Sequence, residues 1–169
     1  DLTADYYRID IDDRIVLSGN FTDARIRNLL APFGAFGSAR FFTNAIDTRT
    51  QGADLTLAHR RPLGGGDLAL FAALNYNETE VTGINTAPGL AGKEDIYFST
   101  RERLFVEGWA PEWRGAIGGD WRRGRWSTGL RLTYFGDVVS GTWSQLDDPF
   151  APPQRYDPVL STDVHVGFD

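Results

Sequence analysis

Apolar and polar residues alternate most regularly between Ala53 and Asn77. Leu68, Leu70, Ala72, Leu74 and Tyr76 share one parity, and Asp67, Ala69, Phe71, Ala73, Asn75 and Asn77 share the other. A period of two marks a strand with one apolar face. Just before it, Leu55 and Leu57 alternate with Asp54 and Thr56, and the segment from Arg61 to Gly66 is charged and rich in Pro and Gly. Together these predict a β-hairpin with a tight turn.

The rest of the chain repeats this unit. Leu2 to Leu17 is strand-like but changes phase: Leu2, Ala4 and Tyr6 lie in one register, Tyr7, Ile9 and Ile11 in the other. A bulge near Tyr6-Tyr7 is the simplest repair. Ser18 to Arg40 is a long connection, with a candidate helical turn over Thr22 to Leu30 capped by Thr22. Phe41 to Arg60 is extended, with an expected interruption at Gln51-Gly52. Glu78 to Glu112 is mixed, containing Gly83, Pro88, Gly89 and Gly92 and one short apolar piece, Leu104-Phe105-Val106. Arg114 to Arg122 and Arg125 to Val139 form a second hairpin across Arg123-Gly124. There Trp126, Thr128, Leu130, Leu132 and Tyr134 alternate with Ser127, Gly129, Arg131, Thr133 and Phe135. Ser140 to Pro158 is a Pro-rich loop, and Leu160 to Phe168 is the last strand. No helix long enough to cover a sheet is evident, so the chain is all-β.

Two asymmetries bear on the architecture. Connections alternate long and short, so an antiparallel up-and-down meander gathers all long loops at one end and both short turns at the other. Transmembrane β-barrels have this arrangement. Aromatic residues also cap the strands. Trp121 and Trp126 flank the second short turn, Trp113 and Tyr134 stand eight residues away, and Tyr76 ends its strand. Eight residues at a tilt of ~40° climb roughly 20 Å, near the height of an apolar band between aromatic girdles. These five are the expected membrane-interface aromatics, and Leu68, Leu70, Leu74, Leu130, Leu132, Val164 and Val166 the expected lipid-facing residues. Alternation alone also fits a soluble sandwich or lipocalin-like barrel with its faces exchanged. Six strands can be read, and membrane barrels need at least eight. Either the 78–112 region hides two more, or the chain is a piece of a larger barrel.

Composition narrows the classes. The 169 residues carry a net charge of −6, which argues against a nucleic-acid partner. There are no cysteines, hence neither disulfides nor thiolate metal sites. No run reaches the roughly 18 apolar residues of a spanning helix. Asp1-Leu2-Thr3 begins inside a strand-like pattern without a leader, as in a mature or truncated chain.

Candidate chemistry is sparse. His59 and His165 stand apart, too few for a metal site. Gly64-Gly65-Gly66 lacks the Lys-Ser/Thr of a phosphate loop and reads as a turn. Asp12-Asp13 and Asp147-Asp148 are cation candidates, but solvated loop carboxylates are the simpler reading. No serine sits in a Gly-x-Ser-x-Gly setting. Neither enzymatic activity nor a cofactor is expected.

Ala4-Asp5-Tyr6-Tyr7-Arg8-Ile9-Asp10-Ile11-Asp12-Asp13-Arg14-Ile15 is similar to a barrel strand of TonB-dependent outer-membrane receptors. Asn44 to Leu55 resembles that family's Asn…Thr-x-Gly-x-Glu/Asp-Leu pattern. Gly108-Trp109-Ala110-Pro111, the Asp120-to-Trp126 turn and Tyr134-Phe135-Gly136 resemble family segments in similar order. The resemblance covers nearly the whole chain, though each motif is loose. It implies a 22-stranded barrel in the bacterial outer membrane, importing siderophores or other scarce nutrients. Residues 1–169 would be a single late segment of that barrel. The N-terminal plug, the TonB-box segment through which the TonB system acts, and the closing C-terminal strands are expected to lie outside it. The implied partners are outer-membrane lipid, TonB and a small-molecule nutrient. The family's ligand contacts match no position here, so no binding residue is carried over. The alternative is a self-contained small outer-membrane or soluble ligand-binding barrel.

Overall fold

The structure, a computed structural model, describes residues 1–22, 24, 28, 31–34, 40–86, 92, 94–146, 148 and 150–169. Six strands build one antiparallel sheet: β1 (Leu2–Leu17), β2 (Phe42–Leu63), β3 (Gly66–Ile84), β4 (Trp113–Arg123), β5 (Trp126–Phe135) and β8 (Val159–Phe168). They pair in the order β1-β2-β3-β4-β5-β8, so each of these strands lies beside its neighbour in the meander. β1 and β8 do not pair with one another, and the sheet is an open segment of a β-barrel. The short turns Gly64-Gly65 and Gly124-Arg125 lie at one end, and the long connections at the other. Gly64, Gly65 and Gly124 have φ of 62°, 77° and 58°, left-handed values that glycine adopts without steric cost.

The region between β3 and β4 contributes no further sheet strand among the described residues. It forms two short helices, α1 (Glu94–Tyr97) and α2 (Thr100–Glu107). The apolar piece Leu104-Phe105-Val106 belongs to α2. The last long connection carries a two-stranded ribbon, β6 (Val138–Ser140) against β7 (Gln154–Tyr156). The second hairpin's return strand therefore ends at Phe135 rather than at Val139. Gly136 turns it back, with its N–H donating to the Trp113 carbonyl at 2.8 Å. The candidate helical turn over Thr22 to Leu30 falls mostly outside the described residues.

Two expected backbone irregularities are corrected. β1 pairs with β2 without a shift from Leu2↔Leu57 to Ile11↔Thr48, so there is no bulge at Tyr6-Tyr7. The shift comes later, at Asp12-Asp13, where Asp13 has φ 54° and its N–H donates to Asp47 Oδ1 at 2.9 Å. Nor is β2 interrupted at Gln51-Gly52; its ladder to β3 runs straight through, Gln51↔Glu78 and Gly52↔Asn77. The change of phase in β1 has another cause. Directly paired residues share a face, so the register sorts the sheet into rows. Leu2, Leu57, Ala72, Ile117 and Leu132 form one outward row; Ala4, Leu55, Leu74, Gly115 and Tyr134 form the next; Tyr6, Ala53, Tyr76 and Trp113 form a third. Beyond that aromatic row the same face turns charged, with Arg8, Gln51 and Glu78, then Asp10, Arg49 and Glu80. The apolar residues cross there to the other face, as Ile9, Ile11 and Val81. The backbone stays regular while the surroundings of each face exchange.

The buried hydrophobic residues among those described lie at the long-loop end: Phe21, Ala45, Ile46, Tyr97 and Phe98, with Val16, Val81, Ile84 and Val106 packed against them. Among the described residues no second layer covers the outward apolar rows. Leu70 is 41% exposed, Leu130 50% and Val164 69%.

Candidate functional site: the inner wall and the loop cap

The seven expected lipid-facing residues share one face of the sheet, the one that carries the apolar rows. Leu70 pairs through Gly119 and Leu130 to Val164, and Leu68 through Trp121 and Thr128 to Val166. Leu74 and Leu132 belong to the adjoining rows. Tyr76, Trp113, Trp121, Trp126 and Tyr134 share this face, with Tyr76 and Trp113 in ring contact at 4.7 Å. The rows place aromatics at both limits of the apolar band and leucine, isoleucine and valine between them.

The inner face is polar. Asn75 donates to Asp54 at 2.7 Å and accepts from Arg114 at 3.0 Å, a chain of side chains across three strands. Thr50 and Thr79 bond at 2.8 Å farther along. One device recurs three times. Tyr7 and Asn77 flank Gly52 and bond over it at 2.6 Å. Phe71 and Arg131 flank Gly118, the guanidinium 5.0 Å from the ring centroid. Asp120 and His165 flank Gly129, 3.3 Å apart. In each case the missing Cβ lets side chains of next-nearest strands reach one another. They lie flat against the wall instead of standing out from it. His59 stands on the opposite face beside Leu70, so the two histidines cannot share a ligand. Among the described residues no three metal-type ligands gather.

At the long-loop end, three connections are tied together by one carboxylate. Glu102 in α2, 6% exposed, accepts from Arg40 Nη2 at 2.7 Å and from Arg101 Nη1 at 2.9 Å. Its other oxygen takes the hydroxyl of Ser99. Arg40 also donates to the Ser18 carbonyl at 3.0 Å, and Arg101 Nε to the Thr142 carbonyl at 2.8 Å. Loop segments before β2, after β3 and after β6 therefore meet at Glu102. Arg101 lies over the rings of Phe105, at 4.7 Å, and Trp143, at 5.6 Å. Phe21 stacks on Phe41 beneath, at 5.4 Å. Two guanidiniums on one carboxylate leave an excess positive charge in a half-dry setting, held by carbonyls and ring faces. None of the side chains expected from sequence to face lipid or the membrane interface belongs to the cap. Ser99-Thr100-Arg101-Glu102 carried the signal, because Ser-x-x-Glu is a helix-capping pattern. Here its Glu faces the arginines instead of the Ser99 backbone.

Nearby, Glu94 is held below the usual carboxylate range by the Gly92 N–H, at 2.9 Å, by its own N–H and by the Thr86 hydroxyl. Asp147 lies outside the described residues. Asp13 bonds its neighbours: its N–H reaches Asp47, and its carboxylate accepts from Asn85 at 3.4 Å.

The family model described as TonB dependent receptor-like, beta-barrel, matches residues 1–169. No curated protein and no solved structure gives a match.

Proposed function

The chain belongs to the TonB dependent receptor-like β-barrel family, and from that premise we propose that it is a sector of an outer-membrane transporter for a siderophore or similarly scarce nutrient. The family is one of transporters rather than enzymes, which fits an inner face built of polar ladders. Its members imply a bacterial outer membrane, a TonB partner and a small-molecule cargo. On this reading the short turns face the periplasm, the long loops face outside, and the plug and further strands belong to the rest of the receptor. β1 and β8 are the edges along which those strands continue.

One observation carries the reading. The outward face is apolar up to the Tyr6–Ala53–Tyr76–Trp113 row and charged immediately beyond it. A soluble barrel has no reason to change its exterior at one level across three neighbouring strands. A membrane surface at that level supplies one. From Trp113 to Arg123 is ten residues along β4, about 25 Å of height at a 40° tilt, the span of an outer-membrane apolar band. The self-contained small barrel requires β1 to close on β8, and the sheet stays open.

The test uses single cysteines in the full receptor, since this segment has none of its own. In intact cells Glu80→Cys should react with a charged maleimide, while Leu70→Cys and Leu132→Cys should stay protected until the membrane is dissolved. Equal labelling of Leu70→Cys and Glu80→Cys on intact cells would refute the assignment. Loss of nutrient accumulation in the absence of TonB tests the transport step.

A further inference from the structure

The short-turn end concentrates arginine: Arg60, Arg61, Arg122, Arg123 and Arg125 lie on or beside the two turns, in a chain whose overall charge is −6. Register divides them. Arg60 and Arg122 belong to the inner face. Arg61 stands in the outward row of Trp121, and Arg123 pairs with Trp126 in the adjoining outward row. Among the described residues no carboxylate pairs with Arg61 or Arg123. At the opposite aromatic row the arginines are already matched: Arg8 meets Asp10 at 2.9 Å, and Arg49 meets Asp10 at 2.8 Å and Glu80 at 3.3 Å.

Arg123 edges a formed cleft, and Arg61 lies two strands from its Trp121 wall in the same outward row. Trp121, Trp126 and Phe168 wall a space of about 510 Å³, completed by Arg123, Gly124 and Arg125. Trp126 and Phe168 meet edge to face at 4.8 Å, and Arg125 lies 4.5 Å above the Phe168 ring. Trp121 donates its indole N–H to the Leu63 carbonyl at 2.9 Å, which locks the second hairpin against the turn of the first. Arg123 passes beside Gly65 of that turn.

We propose that this cleft binds the headgroup of an anionic phospholipid, with Arg123 on the phosphate, Arg61 adding positive charge beside the cleft, and the three aromatics against the glycerol and upper acyl chains. This rests on the outer-membrane reading above, which puts the short turns at the inner-leaflet surface. Indole and phenyl rings favour that depth, where one end of the residue is apolar and the other wet. A guanidinium grips phosphate through paired donors and, unlike the ammonium of lysine, stacks on rings. Phosphate is common to all phospholipids, so net charge is the discriminator. The ammonium of a zwitterionic headgroup meets uncompensated arginines, whereas phosphatidylglycerol brings none. Clustered cations at a membrane surface select anionic lipid in this way.

Native mass spectrometry of the full receptor, released from mixed phosphatidylglycerol and phosphatidylcholine, tests the site. The wild type should retain phosphatidylglycerol in preference. Each of Arg61→Gln and Arg123→Gln should lower that preference roughly fivefold, while Arg123→Lys should restore part of it. Arg8→Gln, at the matched belt, should leave it unchanged. Equal retention of both lipids, or an undiminished preference in the double glutamine variant, overturns the proposal. Displacement of the lipid by equimolar inorganic phosphate would overturn the lipid assignment in favour of a free-anion pocket. A receptor that fails to enter vesicles of either lipid would overturn the membrane reading itself.

Discussion

Asp120 and His165 stand on strands that do not touch, yet their side chains approach to 3.3 Å because Gly129 between them has no Cβ. A methyl group on Gly129 would fall inside both side chains, 2.5 Å from Asp120 Oδ1. Both obstacles are movable side-chain ends. Gly129→Ala should therefore separate the pair at a cost of about 1 kcal/mol or less, as befits a half-exposed polar contact. The His165 imidazole resonances should shift while the urea midpoint of the barrel hardly moves.

Gly52 presents the harder case. A Cβ there meets the Tyr76 backbone carbonyl as well as the Tyr7 ring, and a ladder carbonyl cannot turn away. Gly52→Ala should destabilise the barrel by about 1–3 kcal/mol, the usual cost of overpacking. Tyr7→Phe should cost about 1 kcal/mol, through the bond that Asn77 loses. Equilibrium unfolding of the two variants should rank them in that order.

On the proposed orientation, Leu70 and Leu132 lie within the apolar band. Leu70→Arg or Leu132→Arg should cost about 2–4 kcal/mol in folding into vesicles. Thr133→Arg, one residue away on the inner face, should cost much less. If the arginine variants at 70 and 132 fold into vesicles as well as the wild type, those side chains do not face lipid.

Glu102 holds two arginines, one buried and one partly buried, that would otherwise be left as unmatched charges. Glu102→Gln should cost about 3 kcal/mol, confined to the loop cap. Hydrogen exchange should quicken at α2 and around Thr142, and proteolysis there should increase, with β3 to β5 unaffected. Uniform loosening of the sheet would contradict the tie described here.

The depressed pKa of Glu94 gives a pH dependence of known sign. A carboxyl held below its ordinary value stabilises the fold above the unfolded pKa. That contribution disappears as pH falls through the lowered folded value. Acidification through the carboxylate range should release the Gly92 N–H, and in Glu94→Gln the protection of that amide, relative to its intrinsic exchange rate, should be insensitive to pH over the same range.

Strands were readable wherever one face met one environment throughout. Leu68 to Tyr76, Trp126 to Tyr134 and Leu160 to Phe168 alternate cleanly, and all three are strands. The reading failed where a strand outran its environment. Tyr6-Tyr7 looked like a bulge because apolar residues change sides at the aromatic row, while the true irregularity at Asp12-Asp13 falls among charged residues with no alternation to break. Gly52 looked like an interruption because its role, receiving the Tyr7 ring, belongs to a strand more than 40 positions away. The loop cap was legible only in its Ser99-x-x-Glu102 helix start, for the same reason: Arg40, Glu102 and Thr142 share no local pattern, and only the meander brings them together.

The lengths of β2 and β3 have a consequence for how cargo arrives. Ala53 lies at the aromatic row, and β2 continues back to Phe42, eleven residues farther from the short turns. On the proposed orientation, at 3.3 Å per residue and a 40° tilt, that is a wall rising about 28 Å above the lipid. Its outer side is studded with paired charges, and its rim is fastened by Glu102. A molecule approaching the cell would thus meet a raised chimney before it met the bilayer. On that orientation the opening would stand clear of the surface, its height set by hydrogen-bonded strands rather than by loops.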